Sequence, residues 1–251
     1  MADARLGIIS AKDLGAMRLP DFCPRCFWIK RHNENDFPFQ IPFPGIFGSI
    51  DKYTKDAIHR YLDKNGNLPG WYPEIGGVCG YVASNEIYYS KFFVNDPASN
   101  VKLRGNPDDV LELANGGYHI VDYKTARITG TQDGLFPMYE GQLNAYAFIA
   151  EKMWFKPVEG LSLIYMEPRT ELEYAEGEEM IGRGEFELQF RAVRKVVANS
   201  AKDMIPPLLR EFRRIFDLPE APAGRTDCAN CERLSDLLAV LRRGGIPLGG
   251  V

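Results

Sequence analysis

Gly105-Asn106-Pro107-Asp108-Asp109-Val110-Leu111-Glu112-Leu113, then Asn115-Gly116-Gly117, then Tyr118-His119-Ile120-Val121-Asp122-Tyr123-Lys124-Thr125: this stretch reads as two strands folded back on each other. Pro107 and Asp108 form a turn that leads into the apolar run around Glu112. The Asn-Gly-Gly triplet offers the backbone freedom that a tight hairpin requires. Side chains alternate across a strand, so Asp122 and Lys124 share one face while Val121 and Tyr123 take the other.

Carboxylates brought together on neighbouring strands raise each other's pKa unless a positive charge lies between them. A divalent cation, Mg²⁺ or Mn²⁺, would remove the conflict, which makes Asp108 and Asp122 candidate metal ligands. Lys124 on the same face would stabilise charge developing on a phosphodiester. Asp109 competes with Asp108, because parity at the turn is not fixed by the sequence. Farther on, Tyr139, Leu143, Tyr146, Ala147 and Ala150 follow helical spacing between Tyr139 and Trp154. Gln142 lies one turn before Tyr146 and shares its face.

These residues resemble the PD-(D/E)XK nuclease superfamily, with Pro107-Asp108 as the PD and Asp122-Tyr123-Lys124 as the (D/E)XK. The succession Gly105 to Asp108, Asp122 to Thr125 and Gln142 to Tyr146 is similar to its RecB-like branch. The resemblance implies an α/β (mixed α+β), restriction-endonuclease-like fold: a central mixed sheet flanked by helices. It also implies hydrolysis of DNA, exonuclease-like, in repair, recombination or CRISPR adaptation, with a helicase or CRISPR-adaptation proteins as partners. Gln142 would support Lys124 or the nucleotide, and Tyr146 would contact the nucleic-acid strand. His59, in Ala57-Ile58-His59-Arg60-Tyr61-Leu62, would by the same resemblance be a third ligand to the catalytic metal.

Four of the five cysteines form two Cys-x-x-Cys pairs, Cys23 with Cys26 and Cys228 with Cys231. In an intracellular chain such pairs indicate metal ligation over disulfides. Together they make a tetrathiolate set suited to Zn²⁺ or an iron-sulfur cluster. The segment from Leu19 to Trp28 resembles the Cys-Pro-Arg start of RecB-like nucleases and CRISPR-associated iron-sulfur exonucleases. Those families staple an N-terminal cysteine to C-terminal ones, whereas this chain offers two plus two. Cys79, between glycines, reads as a small core residue.

With 251 residues, 45% hydrophobic and 25% charged, the chain suits one domain, with residues 15–32 and 218–243 as a terminal metal-binding module. No apolar run is long enough to span a bilayer and the start lacks a secretory pattern, so a cytoplasmic protein is expected. The net charge of −4 does not advertise nucleic-acid binding, which then depends on local basic groups such as Lys102 with Arg104.

A polar-capped helix is expected from Ser10 to Ile29, an ordered loop from Asn33 to Gly45, and an amphipathic helix from about Phe47 to Asp63. Strands are expected at Gly77 to Ala83, Ile87 to Val94, Val101 to Arg104 and Gly160 to Met166, with edge strands at Leu172 to Tyr174 and Phe186 to Phe190. Helices are expected over Val193 to Ala201, from Pro206-Pro207 through Phe216, and from about Arg233 to Arg243. Two other functions stay open: a catalytically inactive nucleic-acid-binding module of the same fold, and a zinc-stapled interaction module. In the latter, Asp108 and Asp122 would lie too far apart to share a cation.

Overall fold

The computed structural model describes residues 5–33, 44–175 and 188–245. In chain order its elements are β1 (Gly7–Ser10), α1 (Ala11–Ala16), α2 (Pro24–His32), α3 (Gly45–Asn65), β2 (Val78–Tyr81), β3 (Phe93–Asp96), β4 (Val101–Arg104) and β5 (Asp109–Leu113). There follow β6 (Tyr118–Lys124), α4 (Gly130–Lys152), β7 (Val158–Pro168), α5 (Leu172–Ala175), β8 (Phe190–Val197), α6 (Ala201–Phe216) and α7 (Ala229–Arg243). The fold is mixed α/β, as expected. One sheet has the order β2-β5-β6-β7-β8, parallel only at β6/β7. A smaller one has the order β1-β4-β3, with β1 parallel to β4.

The β5–β6 hairpin turns at Gly116, whose φ of 86° lies in the left-handed region. Its alternation divides the core in two. Val110 and Ile120 join the larger cluster, under α4 and α6, while Leu111, Val121 and Tyr123 join a second cluster with Ile58 of α3. The large sheet is therefore covered on both faces. That is why β7, running through its middle, reads as a continuous apolar stretch.

Helix α4 connects the parallel strands β6 and β7, and every residue from Gly141 to Ala150 is buried. A helix apolar all round must be packed on all sides. One side meets the sheet and another meets α1, whose Gly15 faces Gly141. A Cβ on Gly15 would stand 2.3 Å from the Met138 carbonyl oxygen, so this crossing requires a residue without one. The approach brings the start of α1, capped by Ser10 accepting from the Asp13 N–H at 3.1 Å, to the end of the strands.

Several local expectations are corrected. The span from Ser10 to Ile29 is not one helix: β1 ends at Ser10, and turns between Met17 and Asp21 separate α1 from α2. Leu172 to Tyr174 is helical, in α5, and the strand expected over Ile87 to Val94 begins only at Phe93. Val193 to Ala201 begins as strand β8, where β-branched Val193, Val196 and Val197 suit an outer strand against β7. Helix α6 starts at Ala201, so Pro206 and Pro207 lie inside it. Most of the expected 33–45 loop and Phe186 lie outside the described residues. Among the described residues no helix is long and apolar enough to cross a membrane.

Candidate active site

Where β5 begins and β6 ends, a cavity of about 450 Å³ opens between the sheet, α1, α3 and α4. Asp51, Asp108, Asp122, Lys124, Gln142 and Tyr146 all line it. Asp122 faces α4 from the middle of the sheet and is 3% exposed. Gln142 donates from Nε2 to Asp122 Oδ1 at 3.1 Å, and the Lys124 ammonium contacts the other carboxylate oxygen. Asp108, in the turn before β5, accepts from the Tyr123 backbone N–H at 2.8 Å, which brings its carboxylate alongside Asp122. Its second oxygen pairs with Lys55 Nζ at 2.7 Å.

Asp51 was not foreseen from the sequence. It sits on α3 one turn before Lys55, whose ammonium it shares with Asp108 at 2.8 Å. The signal was available in the i, i+4, i+8 spacing of Asp51, Lys55 and His59, which puts all three on one helical stripe. That stripe meets two consecutive residues of the hairpin on opposite sides. Lys55 reaches Asp108 in the cavity, while His59 Nε2 reaches Asp109 Oδ1 at 2.6 Å on the other face. Asp109 also accepts from the Tyr123 hydroxyl at 2.7 Å. Of the two competing aspartates, the cavity thus takes Asp108. His59 is not among its lining residues and is engaged with Asp109 instead.

Tyr146 is buried, with its hydroxyl accepting from Gln142 Nε2 at 2.8 Å and donating to the Asn106 carbonyl at 3.3 Å. Its ring lies against Gly105, where a Cβ would come within 2.7 Å of it. Tyr146 thus clamps the turn that carries Asp108, and it also lines the cavity.

The electrostatics follow from three acids that are buried to different degrees, Asp122 most and Asp51 least. Burial pushes the Asp122 carboxyl up to about 6, Lys124 opposing and Asp108 adding to the rise. Asp51 is also raised, by burial and then by Asp108. Burial acts against the charged form of Lys55, but Asp108 and Asp51 more than offset it and raise its pKa. The same holds for Lys124 beside Asp122, its Nζ lying 4.3 Å from the centre of the Tyr139 ring. Although among the described residues only the four cysteines bring three or more ligand atoms within 4.8 Å of one another, carboxylate oxygens are the donors that a hard divalent cation prefers. The buried Gln142 Oε1, an acceptor with no partner among the described residues, leaves further polar capacity beside them.

Away from this cavity the four paired cysteines meet. Cys23 and Cys228 cap α2 and α7, and Cys26 and Cys231 lie in the first turns of those helices. Their four sulfurs lie within 4.8 Å of one another, a donor set that fits a bound metal. Burial pushes the Cys23 thiol up, yet the backbone N–H groups of Cys26 and Arg225 outweigh it and bring it down to about 7. Cys79 is exposed and not the core residue expected.

The family model of the PD-(D/E)XK nuclease superfamily matches residues 53–235. The chain belongs to the PD-(D/E)XK nuclease superfamily. Members are typically metal-dependent nucleases, and such a fold implies a nucleic-acid substrate. Asp51 and the first cysteine pair precede the matched span. Among curated proteins none matches the chain. Among solved structures, LHK-Exo in complex with dAMP is similar with 12% identity over 96% of this chain and 95% of that one, at a TM-score of 0.38. SSO0001 is similar with 14% identity over 88% and 81%, also at 0.38.

Proposed function

We propose that this PD-(D/E)XK protein is a divalent-metal-dependent deoxyribonuclease that acts from DNA ends. The observation that carries the reading is the meeting of Asp51, Asp108 and Asp122 with Lys124 in one cavity. Of the three acids gathered there, Asp51 and Asp108 share the Lys55 ammonium and Asp122 pairs with Lys124, while Lys12 lines the cavity as well. Asp108 and Asp122, with Asp51 beside them, would hold Mg²⁺ or Mn²⁺. Such an ion supplies Lewis-acid stabilisation of charge on the phosphate.

The chain's own groups do the rest. Gln142 fixes one oxygen of Asp122 and so its orientation. The Tyr123 N–H does the same for Asp108, and the Gly105–Tyr146 contact holds the turn that presents it. Lys124, held charged by its neighbours, is the cation for the developing phosphate charge. Lys55 neutralises Asp51 and Asp108 when no metal is present. The RecB-like order of motifs supports DNA as the substrate and ends as the point of attack, in repair, recombination or CRISPR adaptation.

The test compares linear, end-blocked and circular DNA with Mg²⁺, Mn²⁺ or EDTA, using the wild type and Lys124→Ala. Cleavage of linear DNA alone, abolished by EDTA and by Lys124→Ala in a protein of unchanged melting temperature, is expected. Full activity of Lys124→Ala would overturn the assignment. Binding that survives EDTA with no cleavage under either metal would identify a non-catalytic nucleic-acid-binding module.

A further inference from the structure

We infer that the four-cysteine site holds a single zinc ion, in tetrahedral thiolate coordination, and that this ion docks α7 onto α2. The assignment is independent of the nuclease reading, because it is read from metal content and not from cleavage.

Spacing carries the argument. Cys26 Sγ lies 3.5 Å from Cys231 Sγ and 3.6 Å from Cys228 Sγ, and Cys23 Sγ lies 3.6 Å from Cys231 Sγ. A zinc–sulfur bond of about 2.3 Å in a tetrahedron sets neighbouring sulfurs about 3.8 Å apart. The observed set, all within 4.8 Å, encloses a hole of that size. An iron-sulfur cluster needs something different, since its cysteines surround a core of several irons and sulfides. Sulfurs almost in contact with one another leave no room for such a core.

The walls fix this size. Gly224 passes so close that a Cβ there would stand 2.9 Å from Cys231 Sγ, and the Arg225 N–H points at Cys23 Sγ from 3.3 Å. Two helix N-termini converge on the sulfurs, and their partial positive charges suit the net negative charge of a zinc tetrathiolate. Helix α7 has no buried residue of its own. Apolar packing therefore gives it little reason to stay docked, and the ion supplies what the core does not.

Protein expressed with added iron and purified without oxygen should be colourless and contain one zinc per chain, with no acid-labile sulfide. X-ray absorption at the zinc edge should give four sulfur neighbours at about 2.3 Å. Iron in place of zinc, with or without sulfide, overturns the inference, as does metal-free protein. Cys79→Ser should keep the zinc and Cys228→Ser should lose it. In case Cys228→Ser does not fold, Gly224→Ala keeps every thiol and should surrender zinc to a competing chelator about tenfold more readily. Unchanged retention would count against the close-walled site. In the wild type, zinc removal should expose the amides of residues 229–243 to hydrogen exchange while those of α4 stay protected. Protection of α7 that survives metal loss would refute its role in docking.

Discussion

The two faces of the β5–β6 hairpin each carry an aspartate cluster, built from neighbouring residues, and the clusters are opposites. On the α3 side Asp109 is satisfied by His59 and by Tyr123, whose hydroxyl also bonds Tyr72 at 3.1 Å, and His59 stacks on Tyr81. Hydrogen bonds close that network within the protein. On the cavity side burial, with Asp108 adding to it, raises the pKa of both Asp122 and Asp51, and the three carboxylates pair with two lysines. A self-satisfied cluster stabilises a fold. Perturbed carboxylates in a cleft mark a functional site.

Substituting the adjacent aspartates separately breaks the comparison most directly. Asp108→Asn keeps an acceptor for the Tyr123 N–H but removes a charge from the cavity. It should lower cleavage on the order of 100-fold or more with little change in melting temperature. Asp109→Asn should do the reverse. It leaves buried partners imperfectly matched and costs about 1–3 kcal/mol in urea unfolding, while activity per folded molecule stays near wild type. Equal losses of activity in both variants would show that the faces are not functionally distinct.

How much of this was legible depends on where each signal lies. The hairpin, the pairing of Asp122 with Lys124 on one face, and the cysteine pairs are local patterns whose spacing carries their geometry. The choice between Asp108 and Asp109 was not readable, because it depends on where pairing starts: β5 begins at Asp109 opposite Val121, leaving Asp108 in the turn. Asp51 was missed because its partners belong to a distant hairpin. Strand β7 was readable because both faces are buried, whereas β8, a strand paired on one side, mixes Arg191, Arg194 and Lys195 with valines and loses a clean alternation.

Proton linkage sharpens the comparison more modestly. In metal-free protein Asp122 keeps its proton up to about 6, while the unfolded chain loses it near the ordinary value of 3.8. Between those values the folded state binds more protons, so this group makes stability fall as pH rises, and above about 6 the effect is complete. Asp51, shifted in the same direction, adds to it. A cation must displace that proton, so Mg²⁺ affinity should rise up to about tenfold per pH unit below about 6 and then level off. Melting curves from pH 4 to 8, with EDTA and with Mg²⁺, would show both trends in the wild type. Asp122→Asn should flatten them, and an unaltered slope would assign the linkage elsewhere.

The smallest effect is expected at His59, and it decides between two places for a histidine on this helix. Asp51 and His59 stand two turns apart on the same stripe of α3, yet only Asp51 lines the cavity. The His59 ring lies 3.9 Å from that of Tyr81 and its Nε2 is spent on Asp109. His59→Gln should therefore cost about 1 kcal/mol of stability and leave metal affinity and cleavage within about twofold. Asp51→Asn should do the opposite, weakening Mg²⁺ binding while sparing the fold, since Lys55 still pairs with Asp108. If His59→Gln instead lowered Mg²⁺ affinity more than Asp51→Asn, α3 would have to turn its stripe toward the cavity on binding metal, and Asp109 would then lose its partner.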